Sequence, residues 1–268
     1  MIIPGLRDSL ATLDLANTAI CLHTSMRAFS PRVAPRDLVD TLQSIGATLL
    51  APAFTYHFEV AAPETDRPPQ NGMRYRNLPT NPAGGAIFSA TENSLSLADM
   101  GVLPQTLLQT PGRARGNHPL NSFVSIGPLA SGLIAGQTPE DVYAPFRELI
   151  KAQGKVLLIG TDSTSLTLVH YAEMQSGRQL FIRWAHDHAG RIIRTRVGSC
   201  SAGFGSLMPL LLEQGKVISW QGARLVAADA GSLLAALRSA IEANPEITRC
   251  ADSACLRCAD ALLGGPQS

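Results

Sequence analysis

Residues 155–174 read KVLLIGTDSTSLTLVHYAEM, and this stretch decides the fold class. Lys155 to Gly160 is a short continuous apolar run closed by glycine, the pattern of a strand buried on both faces. After a Ser/Thr-rich loop, Leu166 to Met174 changes to helical spacing. The same alternation recurs upstream. Thr18 to Leu22 reads as a buried strand that runs into the polar turn His23-Thr24-Ser25-Met26. Pro35 to Ile45 places Leu38, Val39, Leu42 and Ile45 on one helical face, with Pro35 suited to the first turn. Ala47 to Thr55 is again continuously apolar. Buried strands alternating with amphipathic helices predict an α/β fold, a single domain over residues 1–268 with a mostly parallel central sheet flanked by helices.

Leu103 to Gln109, Gly205 to Glu213 and Leu233 to Ala243 have helical spacing. Gln179 to Trp184 and Arg191 to Val197 read as a hairpin about the turn Asp187-His188-Ala189-Gly190. Ala61 to Gly85 is a long excursion rich in Pro, Gly, Asn and Arg, and such loops in compact domains are functional or disordered.

The chain has 268 residues, with 22 Lys+Arg against 21 Asp+Glu, 16% charged and 45% hydrophobic residues. It is long enough to bury a large core without disulfides or metals. A surface that neutralises phosphates needs a basic excess, so nucleic acid is not an expected partner. Aromatic content of 5% offers little for base stacking. No segment approaches the ~20 apolar residues of a membrane span. The first residues, MIIPGLRDSLATLDL, do not read as a signal peptide, so a cytoplasmic protein with reduced thiols is expected.

His23 to Met26 follow a buried strand, where backbone amides and hydroxyls can hold an anion; an ordinary polar turn has the same composition. No glycine-rich nucleotide fingerprint follows any strand. His118 precedes Pro119, which keeps it extended, and Ser122 lies four positions on. This pair suits acid/base work or anchoring of a thioester donor, or a structural histidine bonded to backbone. His170 and Glu173 are spaced i, i+3 on one helical face, so the carboxylate can orient the imidazole as a general base; a surface ion pair would have the same spacing. His186-Asp187-His188 reads as solvated turn rather than metal ligands. Cys250, Cys255 and Cys258 can offer three thiolates to a structural zinc, with Cys200 or a histidine as a fourth ligand. A reduced cysteine-rich tail is the plainer reading, since a second CxxC is missing.

Taken in order, these segments resemble the aminoglycoside 3-N-acetyltransferase family. The matching blocks are His23-Thr24-Ser25-Met26, Thr48 to Thr55, Asp99-Met100-Gly101, Arg115-Gly116-Asn117-His118-Pro119 with Ser122 and Gly127, Val156 to Gly160 with Thr167, His170 and Glu173, and Cys200 to Phe204. The resemblance covers roughly residues 18 to 240. It implies acetyl-CoA as co-substrate and a small-molecule amine as acceptor. It places CoA near His23, Thr24, Ser25, Met26, His118, Ser122 and Thr167, with His170 as general base oriented by Glu173. Backbone N–H groups, with Ser25 or Thr167, would stabilise the oxyanion. Departures from the family pattern are Gln105 where an acid is usual, Leu108 where an arginine is usual, and Leu166 where asparagine is frequent. Three alternatives follow: a biosynthetic relative acylating a less cationic amine, a non-catalytic binding protein using the 61–85 loop, and a zinc hydrolase. A homodimer is compatible with all of them.

Overall fold

In the computed structural model, residues 1–76, 78 and 85–267 are described here. Nine strands and ten α-helices are found among them. A seven-stranded sheet contains β1 (Ala19–Thr24), β2 (Thr48–Pro52), β3 (Ala114–Arg115), β4 (Phe123–Ile126), β5 (Lys155–Ile159), β8 (Lys216–Trp220) and β9 (Ala223–Asp229), in the order β3-β4-β2-β1-β5-β9-β8. Strands β6 (Phe181–His186) and β7 (Ile192–Val197) form a separate antiparallel hairpin.

The α/β class holds, and the parallel part is the centre of the sheet. β1 runs parallel to β2 and to β5, in a register from Ile20 opposite Lys155 to Thr24 opposite Ile159. The flanking strands run antiparallel. The sequence reading does not anticipate β3, β4, β8 and β9. β3 and β4 are only 2 and 4 residues long. β8 is an edge strand with Lys216 and Val217 exposed, so it lacks the apolar run of its neighbours. Gln221 and Gly222 between β8 and β9 both have positive φ, 46° and 78°, the conformation of a tight hairpin turn that forces antiparallel pairing.

Alternation along the strands divides the core in two. Ile20, Leu22, Leu49, Ala51, Leu157 and Ile159 face one side. There they meet α1 (Pro4–Ala11), α2 (Pro35–Ser44) and α4 (Val102–Leu108), which follows the single turn α3 (Leu97–Met100). Cys21, Leu50, Val156 and Leu158 face the other side. There they meet α5 (Ala130–Ile134), α6 (Ala144–Lys151), α7 (Leu168–Gln175), α8 (Met208–Gln214) and α9 (Ala230–Ala243). α9 starts on Asp229, whose carboxylate accepts the Ser232 amide at 2.8 Å. The chain ends in α10 (Leu256–Leu262).

The excursion after residue 61 is docked on the hairpin where it is described. Asn71 accepts the Ile182 amide at 2.7 Å and donates to the Ile182 carbonyl at 2.9 Å, as a strand neighbour would. Asp66 holds Arg194 through two guanidinium nitrogens and accepts the Trp184 indole N–H at 2.8 Å. Residues 77 and 79–84, part of the expected 61–85 loop, lie outside the described residues. His186 ends β6 buried rather than in the solvated turn expected for it, because Ile192 opposite it closes the ladder.

Candidate active site

A cleft of about 730 Å³ opens at the carboxyl ends of the parallel strands, where α/β sheets hold ligands. His23 and Thr24 of β1, Pro52 of β2 and Phe54 after it line its floor. Thr164 to Thr167, after β5, and His170 of α7 form one wall. Val197 at the end of β7 and Gly198 to Ala202 after it line the cleft too, with Gly198 and Ser199 against His170. Glu59, Asp99, Arg183 and Arg257 supply the charged groups. Gly160, with φ +61°, lets β5 end in a turn that passes under Ser25 and Ala28.

His170 and Glu173 meet as the spacing predicts: His170 Nδ1 lies 3.2 Å from Glu173 Oε2, with the side chains only 13% and 5% exposed. Ser199 Oγ donates to the same carboxylate oxygen at 2.6 Å. Arg178 Nη1 donates to Glu173 Oε1 at 2.5 Å and to Thr248 Oγ1 at 2.7 Å. Burial opposes the charge on Glu173, but the hydrogen bonds from His170 and Ser199 and the Arg178 charge outweigh it and hold its pKa below the usual carboxylate value. The edge of the imidazole packs on Phe204, with ring centroids 4.7 Å apart. Gly198 fits against the ring so closely that a Cβ there would lie 2.6 Å from His170 Cγ and 2.6 Å from the Tyr143 hydroxyl. With Nδ1 committed to Glu173, Nε2 is the nitrogen left for chemistry in the cleft.

Of the expected donor-site residues, His23, Thr24 and Thr167 line this cleft. His23 is buried beside Cys21 Sγ at 3.7 Å, and burial lowers its pKa to about 4, so it is a neutral ring. Thr24 Oγ1 and Asn121 Oδ1 are buried lining atoms with no partner among the described residues, which suits them to a polar ligand.

Four residues stand elsewhere. Ser25 gives its amide to the Ile159 carbonyl at 2.9 Å and Met26 opens a short 3₁₀ turn, so neither is among the lining side chains. His118 is fully buried away from the cleft. Its Nδ1 accepts the amides of Leu120 at 3.2 Å and Asn121 at 2.8 Å, which leaves Nε2–H to donate to the Arg196 carbonyl at 2.9 Å. Both ring nitrogens are thus engaged by backbone, the geometry of a structural histidine. Ser122 Oγ donates to the Ala53 carbonyl at 2.8 Å and accepts from Arg115 at 3.0 Å. Arg115 continues to the carbonyls of Ala53, Glu92 and Ser94, so this block braces the cleft wall from behind. Gln105 is also outside the lining, its amide turned toward the Asn93 carbonyl.

Ser199, Arg178, Asn121 and Glu59 are site residues that sequence reasoning misses. Ser199 stands next to the recognised Cys200–Phe204 block, which is the one signal that could have drawn attention to it.

The cysteines gather as a set of four. The sulfurs of Cys200, Cys250, Cys255 and Cys258 all lie within 4.8 Å of one another, beside the loop that carries Ser199. Cys258 Sγ is 3.5 Å from Cys250 Sγ and accepts the Cys250 amide at 3.4 Å. Cys21 stands apart, buried in the core.

The family model for aminoglycoside 3-N-acetyltransferases matches residues 21–204, the span that holds the cleft floor, His170, Glu173 and Ser199. This chain belongs to the aminoglycoside 3-N-acetyltransferase family. Aminoglycoside N(3)-acetyltransferase VIII of Streptomyces fradiae is 31% identical over 170 residues, which cover 60% of this chain and 56% of that protein. Aminoglycoside N(3)-acetyltransferase IX of Micromonospora chalcea is 39% identical over 93 residues, 33% of each chain. The chain thus matches little more than half the length of these curated relatives at most. Among solved structures, AAC-IIIb in a binary complex with CoASH superimposes with a TM-score of 0.73 at 26% identity, over 91% of this chain and 97% of that one. The apoenzyme of AAC(3)-IVa shares the fold with a TM-score of 0.74 at 19% identity, over 97% and 96% of the two chains.

Proposed function

We propose that this chain is an acetyl-CoA-dependent N-acetyltransferase of one domain, acting in the cytoplasm on an amine of an aminoglycoside-like small molecule, with His170 as general base. The observation that carries this reading is the Ser199–Glu173–His170 constellation at the wall of the large cleft. The CoASH complex of AAC-IIIb, a structure of the same fold, supports the donor.

In this reading the acceptor nitrogen attacks the thioester carbonyl and forms the C–N bond. His170 Nε2 takes the proton that the nitrogen loses. Glu173 keeps the imidazole oriented and balances the imidazolium that forms. The tetrahedral intermediate collapses with cleavage of the C–S bond, and CoA leaves as the thiolate, which the imidazolium protonates. Thr24, Asn121 and His23 face the donor, and Thr167, with backbone N–H groups, faces the oxyanion. Ser25, Met26, His118 and Ser122 shape the loops behind those groups.

The cysteine set completes the reading as a structural zinc site. Four protein thiolates leave no open position, so zinc-assisted hydrolysis does not fit these residues.

Release of CoA from acetyl-CoA, assayed against a panel of aminoglycosides and small amines, tests the proposal. Turnover that His170→Ala abolishes while CoA affinity is kept supports it. No turnover with any amine overturns it and leaves a binding protein on this scaffold.

A second reading, a less cationic acceptor, is favoured by the charges that line the cleft. Glu59 and Asp99 are offset by Arg183 and Arg257, and Arg183 lies 3.6 Å from Glu59. A polycation would meet little net negative potential there. A higher kcat/KM for monoamines than for aminoglycosides would select this reading. Light scattering decides the expected homodimer.

A further inference from the structure

The thiol cluster joins two distant parts of the chain directly behind the candidate general base. Cys200 follows Ser199, whose hydroxyl is bonded to Glu173. Cys250 lies two residues after Thr248, which holds Arg178 on the other oxygen of Glu173. Arg178 also donates to the Pro245 carbonyl. Cys258 follows Arg257, a cleft-lining side chain, and sits on the same helix as Asp260, which accepts the Gly72 amide at 2.8 Å. The two segments are pressed together: a Cβ on Gly203 would fall 2.3 Å from the backbone of Arg249. One oxygen of Glu173 is therefore held by Ser199, next to Cys200, and the other by Arg178, which is itself held by Thr248 and Pro245 of the segment that carries the other three cysteines.

We infer that zinc on Cys200, Cys250, Cys255 and Cys258 clamps the C-terminal segment to the Gly198–Phe204 loop and so fixes the back of the Glu173–His170 pair. The inference rests on the structural-zinc reading. Tetrahedral zinc with sulfurs at about 2.3 Å sets neighbouring sulfurs about 3.8 Å apart, so the cluster needs little closure. The Cys250 amide is already directed at the Cys258 sulfur at 3.4 Å, which is how thiolate ligands are held. The ligands come from both parts of the chain, so losing the metal unties the clamp while the sheet, whose core lies elsewhere, stays folded. The cysteines are positioning residues, with no role at the reacting atoms.

The test uses the full chain purified reduced from zinc-supplemented cells. Elemental analysis should find one zinc per chain, lost in Cys255→Ser. No zinc, or a Cys250–Cys258 disulfide in its place, overturns the zinc reading and the clamp with it. Hydrogen exchange before and after chelation then tests the clamp alone. Amides of 198–204 and 245–264 should lose protection while β1, β2 and β5 keep theirs. In the active enzyme, chelation should lower kcat by roughly one to two orders of magnitude with the KM for acetyl-CoA little changed, because a small misplacement of a reacting group costs about a hundredfold. Zinc at full occupancy with unchanged exchange in both segments overturns the clamp and leaves the metal site standing. The exchange arm needs no turnover, so it decides even if the acyltransferase reading fails.

Discussion

Ser199 Oγ and His170 Nδ1 share one partner: Glu173 Oε2 accepts from the serine at 2.6 Å and lies 3.2 Å from the imidazole. The serine is thus placed to hold the carboxylate rather than to act as nucleophile. Ser199→Ala removes a charge-assisted hydrogen bond worth about 1.5–3 kcal/mol, so kcat should fall by roughly tenfold to a hundredfold. Steady-state kinetics should show the KM for acetyl-CoA nearly unchanged. A variant as active as the parent would remove Ser199 from the site.

Glu173→Gln should do more. It leaves the buried Arg178 guanidinium without its carboxylate, and breaking a buried pair costs about 3–5 kcal/mol. Denaturant unfolding should register that loss, and turnover should fall below that of Ser199→Ala.

Gly198→Ala should hurt activity more than stability. The added methyl group would press on the His170 ring and the Tyr143 hydroxyl at 2.6 Å, and Tyr143 is fully packed. Overpacking of this kind costs about 1–3 kcal/mol, whereas a displaced base costs about a hundredfold in rate. Melting temperature and kcat measured on the same preparation separate the two effects.

Two neutral histidines make the fold acid-sensitive. Burial holds His23 and His118 at about 4, below the 6.5 of an unfolded chain. Above pH 6.5 neither state binds these protons, so their contribution is constant. As pH falls through 6.5 the unfolded chain takes them up first, and stability drops until the folded rings titrate near 4. The loss is about 3 kcal/mol per histidine. Urea midpoints measured from pH 7 to 4 should fall across that window, and less steeply in His118→Asn. A flat profile would contradict the burial of both rings.

Asp66→Asn should release the docked excursion. It removes the carboxylate that joins Arg194 and the Trp184 indole, at a cost of about 2 kcal/mol. Limited proteolysis should then cut within 61–76 at protein concentrations where the parent stays intact.

The sequence by itself did not show α1, α5 and α6, but it determined the α/β class, the three parallel strands, the β6–β7 hairpin, the helices α2, α4, α7, α8 and α9, and the His170–Glu173 pair. Each of these is local, because period-2 or continuous apolar runs, 3.6-residue spacing and an i, i+3 contact are written over a few neighbouring residues. Tertiary structure alone decided the rest. The antiparallel flanks depend on short strands and an edge, which carry no long apolar run. His118 and Ser122 have the residue types of a site, yet their partners are backbone groups of Arg196 and Ala53, far along the chain, and these turn them into braces. Ser199 joins Glu173, Thr248 joins Arg178 and the fourth cysteine joins the other thiols only because the β7 loop and the C-terminal segment fold back behind α7. Local spacing reports which face a residue takes; which distant group waits there is set by packing.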